Sequence, residues 1–462
     1  MRVLHWFRSD LRVADNAALA AAAAAADELV CVFVLDDRLL AGRRASARRN
    51  RFLLDSLAKL GAELAARGSQ LVVRRGDPAR ELARLAAETR AERATWNADY
   101  GPFALRRDAA VARALERTGV RCEAARDRVV FDADQVLTRA GRRFSVYGPY
   151  RRAWHARFAA SPPPVLRAPR LPPPIPGVER GRIPPAPRDP ARLASGGSAA
   201  ALRRLDAFLE RGVADYAWRR DLPAQRGTSR LSAHLHFGTV SPRTCIARAR
   251  EAARDDPRRR AGVAKWIDEL VWREFYFAIL SHFPHVLRGA QRHALDALEW
   301  SDDEAGFAAW CEGRTGFPLV DAGMRELEAT GWMHNRARMV AASFLAKDLG
   351  IDWRSGEAFF MAKLVDGDPA NNNGGWQWSA STGSDAQPWF RIMNPVAQGE
   401  RFDPEGAYVR RWLPELRRLP GVCAHRPWES PERAPDYPPR IVDHAWARER
   451  ALTRFRAVLA RR

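Results

Sequence analysis

A proline-rich stretch divides this chain into two parts that carry different hydrophobic patterns. It runs from about Ser161 to Ser198 and contains SPPPVLRAPRLPPPIPG and RIPPAPRDPARLASGGS. Because proline lacks an amide hydrogen and has a fixed φ, such a stretch cannot form a packed helix or a central strand. We therefore predict an extended connection between two domains, which is also the expectation for a chain of 462 residues.

Before this stretch, short apolar runs alternate with helical patterns. The run LVCVFVL at 29–35 is typical of a strand buried on both faces, and Asp77-Pro78 marks the start of a helix. The alternation predicts an α/β domain over residues 1–130 with a doubly wound parallel sheet. No G-x-G-x-x-G follows the first strand, so the dinucleotide fingerprint is missing. The predicted strands are Val3–Phe7, Leu29–Leu35, Leu71–Val73, Ala94–Ala98 and Val120–Glu123.

After the proline-rich stretch the spacing of apolar residues is helical up to the last residue. We predict a larger all-α domain over 199–462, with residues 131–198 as the linker. The predicted helices are Ala199–Arg211, Ser241–Asp255, Ala261–Leu280, Asp302–Glu312, Pro318–Thr330, Asn335–Lys347 and Ser355–Leu364.

The segment Asp366–Trp378, DGDPANNNGGWQW, has an unusual composition for an all-α domain. Three Asn and two Gly are unfavourable inside a helix, so we expect an irregular segment here. Its carboxylates, amides and indole rings suit a planar ligand with polar edges. A metal site would call for His, Cys or more carboxylates, and we predict none. The alternative is a capped turn between helices with core Trp residues beside it.

Three other motifs carry polar side chains on predicted helices. The hydroxyls of GTSRLS, residues 227–232, suit either phosphate binding or simple N-capping. In KWIDELVWREFY, residues 265–276, a charged and aromatic face predicts the wall of a cleft. In GWMHNRARM, residues 331–339, the Arg side chains suit phosphate or carboxylate, whereas His334 is interpreted as structural.

Charge and cysteine usage narrow the class of protein. A formal net charge of +21 favours a polyanionic partner such as nucleic acid, although a GC-rich genome also raises the arginine content. The five Cys are scattered, which fits a reducing, cytoplasmic location. We find no signal peptide and no apolar run that would span a bilayer.

Taken in order, these motifs resemble those of the DNA photolyase and cryptochrome family. The resemblance rests on HWFRSDLRxxDN, TSRLS, WxxELVWREFY, GWMHNRxRM and DGDxAxNNGGWQWxAxTGxD followed by RIMNP. It covers nearly the whole chain and is closest to the microbial photolyases that repair cyclobutane pyrimidine dimers. It implies an N-terminal antenna domain and a helical domain that holds a U-shaped FAD, reduced in the active state.

The resemblance also implies the residues of the flavin site. Asn372 resembles the residue opposite the flavin N5, which is Asn in photolyases and Asp in plant cryptochromes. The implied flavin-binding residues are Tyr216, Thr228, Ser229, Arg230, Leu231, Ser232, Trp266, Glu269, Arg273, Asn335, Arg338, Asp366, Gly367, Asp368 and Asn372.

The implied reaction is light-driven electron transfer from reduced FAD to a flipped-out dimer, with no net redox change. Glu269 would hydrogen-bond the thymine edge and stabilise the dimer radical anion. The other implied lesion contacts are Trp272, Trp378, Asn335 and Met339. The implied phosphate contacts are Arg220, Arg336 and Arg391. A tryptophan chain for reducing resting flavin would run through Trp376, Trp353 and Trp300.

One position departs from the family pattern. Folate-binding members carry an Asn-Glu pair where this chain has Phe103-Ala104. The alternatives for the antenna site are therefore folate, deazaflavin, another flavin and an empty pocket.

We expect a monomer that acts on UV-damaged DNA. The alternatives are a photolyase-like cryptochrome, a (6–4) photolyase, whose His pair GWMHNRARM lacks, and a DNA-binding protein with a structural flavin. The chain ends at Arg462 without a long C-terminal extension, which favours repair over signalling.

Overall fold

Five parallel strands form one sheet in the first part of the chain. The structure is a computed structural model that describes residues 1–42, 44–191 and 193–460. The strand order is β3-β2-β1-β4-β5, so the chain reverses direction across the sheet between β1 and β4. The prediction of a doubly wound parallel sheet is confirmed. The strands are β1 Arg2–Phe7, β2 Glu28–Leu35, β3 Leu71–Arg75, β4 Arg93–Asn97 and β5 Arg121–Ala125.

Helices cover both faces of this sheet, and local capping sets where they begin. Asn16 caps the first helix through a hydrogen bond from Leu19 N, and Asp77 caps the fourth, with Pro78 as its first residue. The helices are α1 Ala17–Ala25, α2 Asp37–Leu40, α3 Ala47–Ala65, α4 Pro78–Thr89 and α5 Pro102–Glu116.

The segment after the sheet contains a helix that we did not predict. Helix α6, Tyr147–Ala160, lies inside the expected linker and packs against the helical part of the chain. Its Trp154 indole donates a hydrogen bond to the buried carboxylate of Glu274. The described residues between 161 and 197 form neither helix nor strand, as their proline content predicts.

The rest of the chain is helical, and the all-α prediction is confirmed. One predicted helix changes character, because Asn335–Lys347 is α-helical only to Ser343 and continues as a π-helical turn, Phe344–Leu349. None of the helices within the described ranges is long and apolar enough to cross a membrane. The helices are α7 Ser198–Arg211, α8 Tyr216–Arg219, α9 Ser232–His236, α10 Pro242–Asp255, α11 Arg260–His282, α12 Glu304–Glu312, α13 Pro318–Thr330, α14 Asn335–Ser343, α15 Trp353–Lys363, α16 Pro369–Ala380, α17 Pro395–Phe402, α18 Ala407–Trp412 and α19 His444–Ala460.

The expectation that the Asn- and Gly-rich segment is irregular was wrong, because most of it forms α16. Asp368 caps this helix by accepting hydrogen bonds from Ala370 N and Asn371 N. Inside the helix, the Asn373 side chain donates to the carbonyl of Val286. Caps and tertiary contacts thus outweigh the poor intrinsic propensity of the segment.

Buried ion pairs join the sheet domain to the helical part. Asp127 accepts from Arg12 at 2.5 Å and from Arg243 of α10 at 2.8 Å. Arg243 also contacts Asp15 at 3.2 Å. All four side chains are buried, so removing one leaves an uncompensated charge in the interior. The two parts of the chain therefore share one set of interior contacts.

Candidate functional site

A cavity of about 480 Å³ lies within the helical domain, between α8, α9, α11, α14, α15 and α16. This volume lies within the usual range for sites that bind small molecules and cofactors. Most of the residues singled out in the sequence are brought together here. Those that line it are Tyr216, Arg220, Ser229, Ser232, Trp266, Glu269, Trp272, Arg273, Asn335, Arg338, Met339, Asp366, Asp368, Asn372, Trp376 and Trp378.

The remaining selected residues lie outside the cavity lining. The Arg230 guanidinium stands over the ring of Trp332, 4.3 Å from its centroid, so it does not point at the cavity. Leu231 is buried in the core beside the start of α9. The others that do not line the cavity are Thr228, Gly367, Arg336, Arg391, Trp353 and Trp300.

Two aspartates on the segment that leads into α16 provide acidic groups on one wall of the cavity. The Asp366 carboxylate accepts from the Arg338 guanidinium at 2.9 Å. Asp368 contacts Arg128 at 3.1 Å and His236 at 3.4 Å. Burial alone would raise the pKa of Asp368, but the hydrogen bond from His236 and the charge of Arg128 hold it well below its usual range. Asp368 is therefore ionised at neutral pH.

The amide of Asn372 has a defined orientation. Its Nδ2 donates to both the backbone carbonyl and the side-chain Oε1 of Glu357 in α15, each at 3.0 Å. Burial raises the pKa of Glu357. Because Nδ2 is used in these two bonds, Oδ1 is the atom of this amide that remains as an acceptor for a cavity ligand.

One face of α11 supplies aromatic and charged groups to the opposite wall. Trp266 donates through Nε1 to Ser229 Oγ at 3.3 Å. Glu269 is paired with Arg220 and lies 3.3 Å from Lys265. Trp272 stacks on Tyr147 of α6, with ring centroids 3.5 Å apart and planes 13° apart. The prediction that this face lines a cleft is confirmed.

Family models cover both parts of the chain. The model for the FAD binding domain of DNA photolyase matches residues 266–457, and that for DNA photolyase matches residues 3–171. The chain belongs to the DNA photolyase family. The family resemblance inferred from the motifs is thereby confirmed.

Relatives match this photolyase along its whole length. The deoxyribodipyrimidine photo-lyase of Halobacterium salinarum is 43% identical, with 98% of each chain covered. The crystal structure of a bacterial class III photolyase from Agrobacterium tumefaciens matches with a TM-score of 0.91 at 37% identity, covering 99% of this chain and 98% of that one. An archaeal photolyase from Sulfolobus tokodaii, described with two FAD molecules, matches with a TM-score of 0.84 at 31% identity, covering 99% and 100%.

The residues of the cavity fit the flavin that this family binds. Hydroxyls of Ser229 and Ser232 lie in the lining together with the cation of Arg273, groups that suit a pyrophosphate. Burial lowers the pKa of Arg273 only to about 10, so its positive charge persists at neutral pH. In the same lining, a Cβ added at Gly375 would meet no atom within 4 Å outside its own stretch of helix, so α16 presents open space where a ring can lie. The lining thus offers both donors for phosphate and room for a flat ring.

The three tryptophans of the expected chain share one hydrophobic cluster. Trp376 and Trp353 are buried, and the partly buried Trp300 packs against the same cluster. A β-bridge between Ser301 and Ile351 places the segments that carry Trp300 and Trp353 side by side. This arrangement is compatible with a route from the cavity to the surface.

The three arginines assigned to phosphates have different surroundings. Arg220 is paired with Glu269 inside the cavity, and Arg391 is exposed. Arg336 donates to Asp221 at 2.7 Å and stacks on Phe402 at 4.0 Å from the ring centroid, so it is already paired within the protein. Of the three, Arg391 is the most accessible to a phosphate.

Sequence reasoning missed several residues that complete the site. His236 and Phe360 line the cavity, and Tyr276 lines it too, although it had been placed on the α11 face without a role. Glu357 orients Asn372 through hydrogen bonds, and Tyr147 holds Trp272 by ring stacking. The Asn and Trp motifs signalled the cavity, but nothing local in the sequence pairs Glu357 with Asn372 or Tyr147 with Trp272. Among the described residues, no group of three or more His, Cys, Asp or Glu is arranged to hold a metal ion.

Proposed function

We propose that this protein is a deoxyribodipyrimidine photo-lyase that uses light to split cyclobutane pyrimidine dimers in UV-damaged DNA. The observation that carries the proposal is the position of Glu269, Trp272 and Met339 in the same cavity as the flavin-binding set. A protein that held flavin only as a structural group would not need a carboxylate and an aromatic surface beside it. The identity of about 40% to named photo-lyases over nearly the full chain supports the same reaction.

Reduced FAD, when bound here, supplies on excitation the electron that opens the two bonds of the dimer and takes it back afterwards. The residues of this chain do the binding and the orientation. Asp368, ionised and fully hydrogen-bonded within the protein, would hold Arg128 and His236 in place beside the cofactor, and Arg338 with Asp366 would form a charged pair in the same cavity. The Oδ1 of Asn372 provides an acceptor whose direction is set by Glu357.

The dimer is bound by the aromatic and acidic groups of α11 and by the end of α16. Trp272 is held flat by its stack with Tyr147 and provides a rigid surface for a flipped-out pair of bases. Glu269 accepts a hydrogen bond from a thymine N–H, with Arg220 adjacent to hold its charge. Extruding a damaged pair costs only a few kcal/mol because it pairs poorly, which supplies part of the selectivity.

The DNA backbone is bound without reading sequence. The net charge of +21 and the exposed Arg391 provide the attraction to phosphate. We propose that the protein acts as a monomer in the cytoplasm. Its five Cys form no disulfide, and all five lie in the described ranges, which fits a reducing compartment.

We propose that a second chromophore occupies the sheet domain, and that the chain divides functionally at residues 1–130, 131–198 and 199–462. The support for the chromophore is the strand order, which reverses between β1 and β4, because ligands of open parallel sheets bind at such a reversal point. There the ring of Phe103 lies 5.4 Å from the Arg38 guanidinium and 5.9 Å from that of Arg107. Folate, deazaflavin and a second flavin are all anionic or flat ligands that such groups can hold.

The test is anaerobic illumination of the purified, reduced protein with an oligonucleotide that carries one thymine dimer. Recovery of thymine absorbance that requires light is the expected result. The matched variant is Glu269→Ala, which should keep flavin and lower the repair yield per absorbed photon. No recovery with reduced flavin bound would reject dimer repair, and a (6–4) lesion and a signalling role would then be tested. An unchanged photon yield in Glu269→Ala would reject the role of that carboxylate alone.

A further inference from the structure

The π-helical turn after α14 buries a lysine that the reaction does not use. Lys347 lies in Phe344–Leu349 and is 0% exposed. π-Helical turns are rare and are frequently found at functional sites. Burying an ammonium group is costly, and an apolar side chain of the same length would fill this space without that cost. Lys347 therefore calls for an explanation beyond packing.

The ammonium of Lys347 contacts both ends of one loop. Its Nζ donates to Ser381 Oγ at 2.8 Å and to the backbone carbonyl of Arg391 at 2.9 Å. Ser381 ends α16 in the left-handed conformation, with φ of 64°. One buried group thus holds together the first and the last residue of the segment 381–391, which we call the 381–391 loop.

This loop adjoins the cavity and ends in exposed side chains. Trp378 and Ser379, just before it, line the cavity. At its far end Phe390 is 57% exposed and the Arg391 side chain is exposed as well. Gln387 fastens the middle of the loop by donating to the carbonyl of Ser379 at 3.0 Å. The loop therefore starts beside the cavity, is held closed by Lys347 and Gln387, and presents its far end to solvent.

We infer that Lys347 is a positioning residue for DNA binding, which closes the 381–391 loop and thereby fixes Arg391 where a phosphate beside the lesion can reach it. This inference rests on the proposed function, under which Arg391 contacts the DNA backbone. A loop closed at both ends by the two hydrogen bonds of one buried side chain loses little entropy when DNA binds, so the arginine is presented in advance. Lys347 touches neither the dimer nor the flavin site and acts only through Arg391.

The neighbouring residue provides a matched control. Asp348 is also buried, and its carboxylate is paired with His444 at the start of α19 and not with Ser381 or Arg391. His444→Leu therefore disturbs the same π-helical turn but leaves both loop contacts in place. Ser381→Ala removes one of the two contacts of Lys347 and no charge.

The experiment measures dark binding of a duplex with one thymine dimer by flavin-loaded wild type and variants. Lys347→Met should weaken binding about tenfold and reduce the salt slope by about one, as expected for the loss of one phosphate contact. Its repair yield per absorbed photon at saturating DNA should equal that of the wild type. Ser381→Ala should weaken binding less, and His444→Leu should not weaken it. Adding Lys347→Met to Arg391→Ala should have little further effect, since both act on one contact.

Several outcomes would overturn the inference. Wild-type affinity for dimer DNA in folded Lys347→Met would reject the inference. If Lys347→Met does not fold, wild-type affinity in Ser381→Ala would reject it instead. So would an equal loss of affinity in His444→Leu, or additive effects of Lys347→Met and Arg391→Ala. If the wild type repairs dimers and Lys347→Met binds normally, only the inference fails. If the wild type neither binds nor repairs dimer DNA, the proposed function fails.

Discussion

Two adjacent glycines in α16 allow the shape of the cavity to be tested with a built-in control. Gly374 and Gly375 lie in the same turn of the helix, so replacing either by Ala gains the same helix propensity, about 1 kcal/mol. They differ only in what a methyl group would meet. At Gly374 the new Cβ would lie 2.6 Å from Cγ of the Tyr276 ring, whereas at Gly375 no atom of the described chain lies within 4 Å.

The expected difference follows from these distances. Carbon atoms of this kind pack at 3.4 Å or more, and Cδ1 and Cε1 of the ring would lie closer to the new Cβ than Cγ does, so Tyr276 must retreat by more than 1 Å in Gly374→Ala. That ring is confined by Trp272 and Phe275, with centroids 5.7 and 5.8 Å away. Overpacking of this kind costs about 1–3 kcal/mol, and the shared propensity gain cancels between the two variants. The apoprotein of Gly375→Ala should therefore be more stable than that of Gly374→Ala by about 1–3 kcal/mol.

Flavin should reverse the advantage of Gly375→Ala, because its methyl group enters the space that the ring of the cofactor needs. The free energy of unfolding of each apoprotein is measured by denaturant titration, and FAD affinity by calorimetry on the same samples. Gly375→Ala should be at least as stable as wild type without FAD and bind FAD more weakly. Equal stability of the two variants would refute the contact between α16 and Tyr276. Unchanged FAD affinity in Gly375→Ala would refute the position of the ring.

Three further predictions concern an electron route, an amide and a buried acid. Trp376→Phe should block light-driven reduction of oxidised flavin but not repair by chemically reduced enzyme; loss of repair after chemical reduction would contradict this division. Glu357→Leu removes one of the two hydrogen bonds that orient the amide of Asn372 and leaves the one to the backbone carbonyl of residue 357. The acceptor offered to the reduced flavin is then less firmly oriented, so the midpoint potential should become more negative; an unchanged potential would argue that the side-chain bond does not orient the amide. Burial raises the pKa of Glu274 to about 7 from an ordinary 4.5, outweighing its hydrogen bonds. The native state thus binds the proton of Glu274 more tightly than the unfolded state does, so the free energy of unfolding should fall as pH rises from about 4.5 to about 7. Glu274→Gln should remove this dependence, and an identical pH profile in the variant would exclude Glu274 as its source.

Elements with strong local signals could be predicted from the sequence. The apolar run at 29–35 and the Asp77-Pro78 start of α4 both reappear in the structure with closely similar bounds. These signals depend on neighbours in sequence, namely unbroken apolar character and a capping side chain before a proline. The site motifs could be predicted for the same reason, since each is contiguous.

Elements that depend on distant contacts could not be predicted. Helix α16 forms although its Asn and Gly residues disfavour a helix, because Asp368 caps it and the Asn373 side chain donates a hydrogen bond to another segment. Helix α6 was missed because Gly148 and Pro149 in its first turn are typical of a turn, whereas its packing against α11 stabilises it. The role of Glu357 likewise arises only where α15 meets α16.

The shared ion pairs bear on how the chain folds as it leaves the ribosome. Asp15 and Asp127 both lie ahead of the proline-rich segment, yet Arg243, which pairs with both, lies after it. Until residue 243 emerges, Asp127 has Arg12 but not Arg243 as a partner, and Asp15 lacks the ion pair that it forms in the finished protein. Breaking a buried pair typically costs 3–5 kcal/mol, enough to keep a nascent sheet domain marginal. The proline-rich segment therefore does not separate two independent folding units. A chain cut there would have to reassemble around Arg243 before either half became stable.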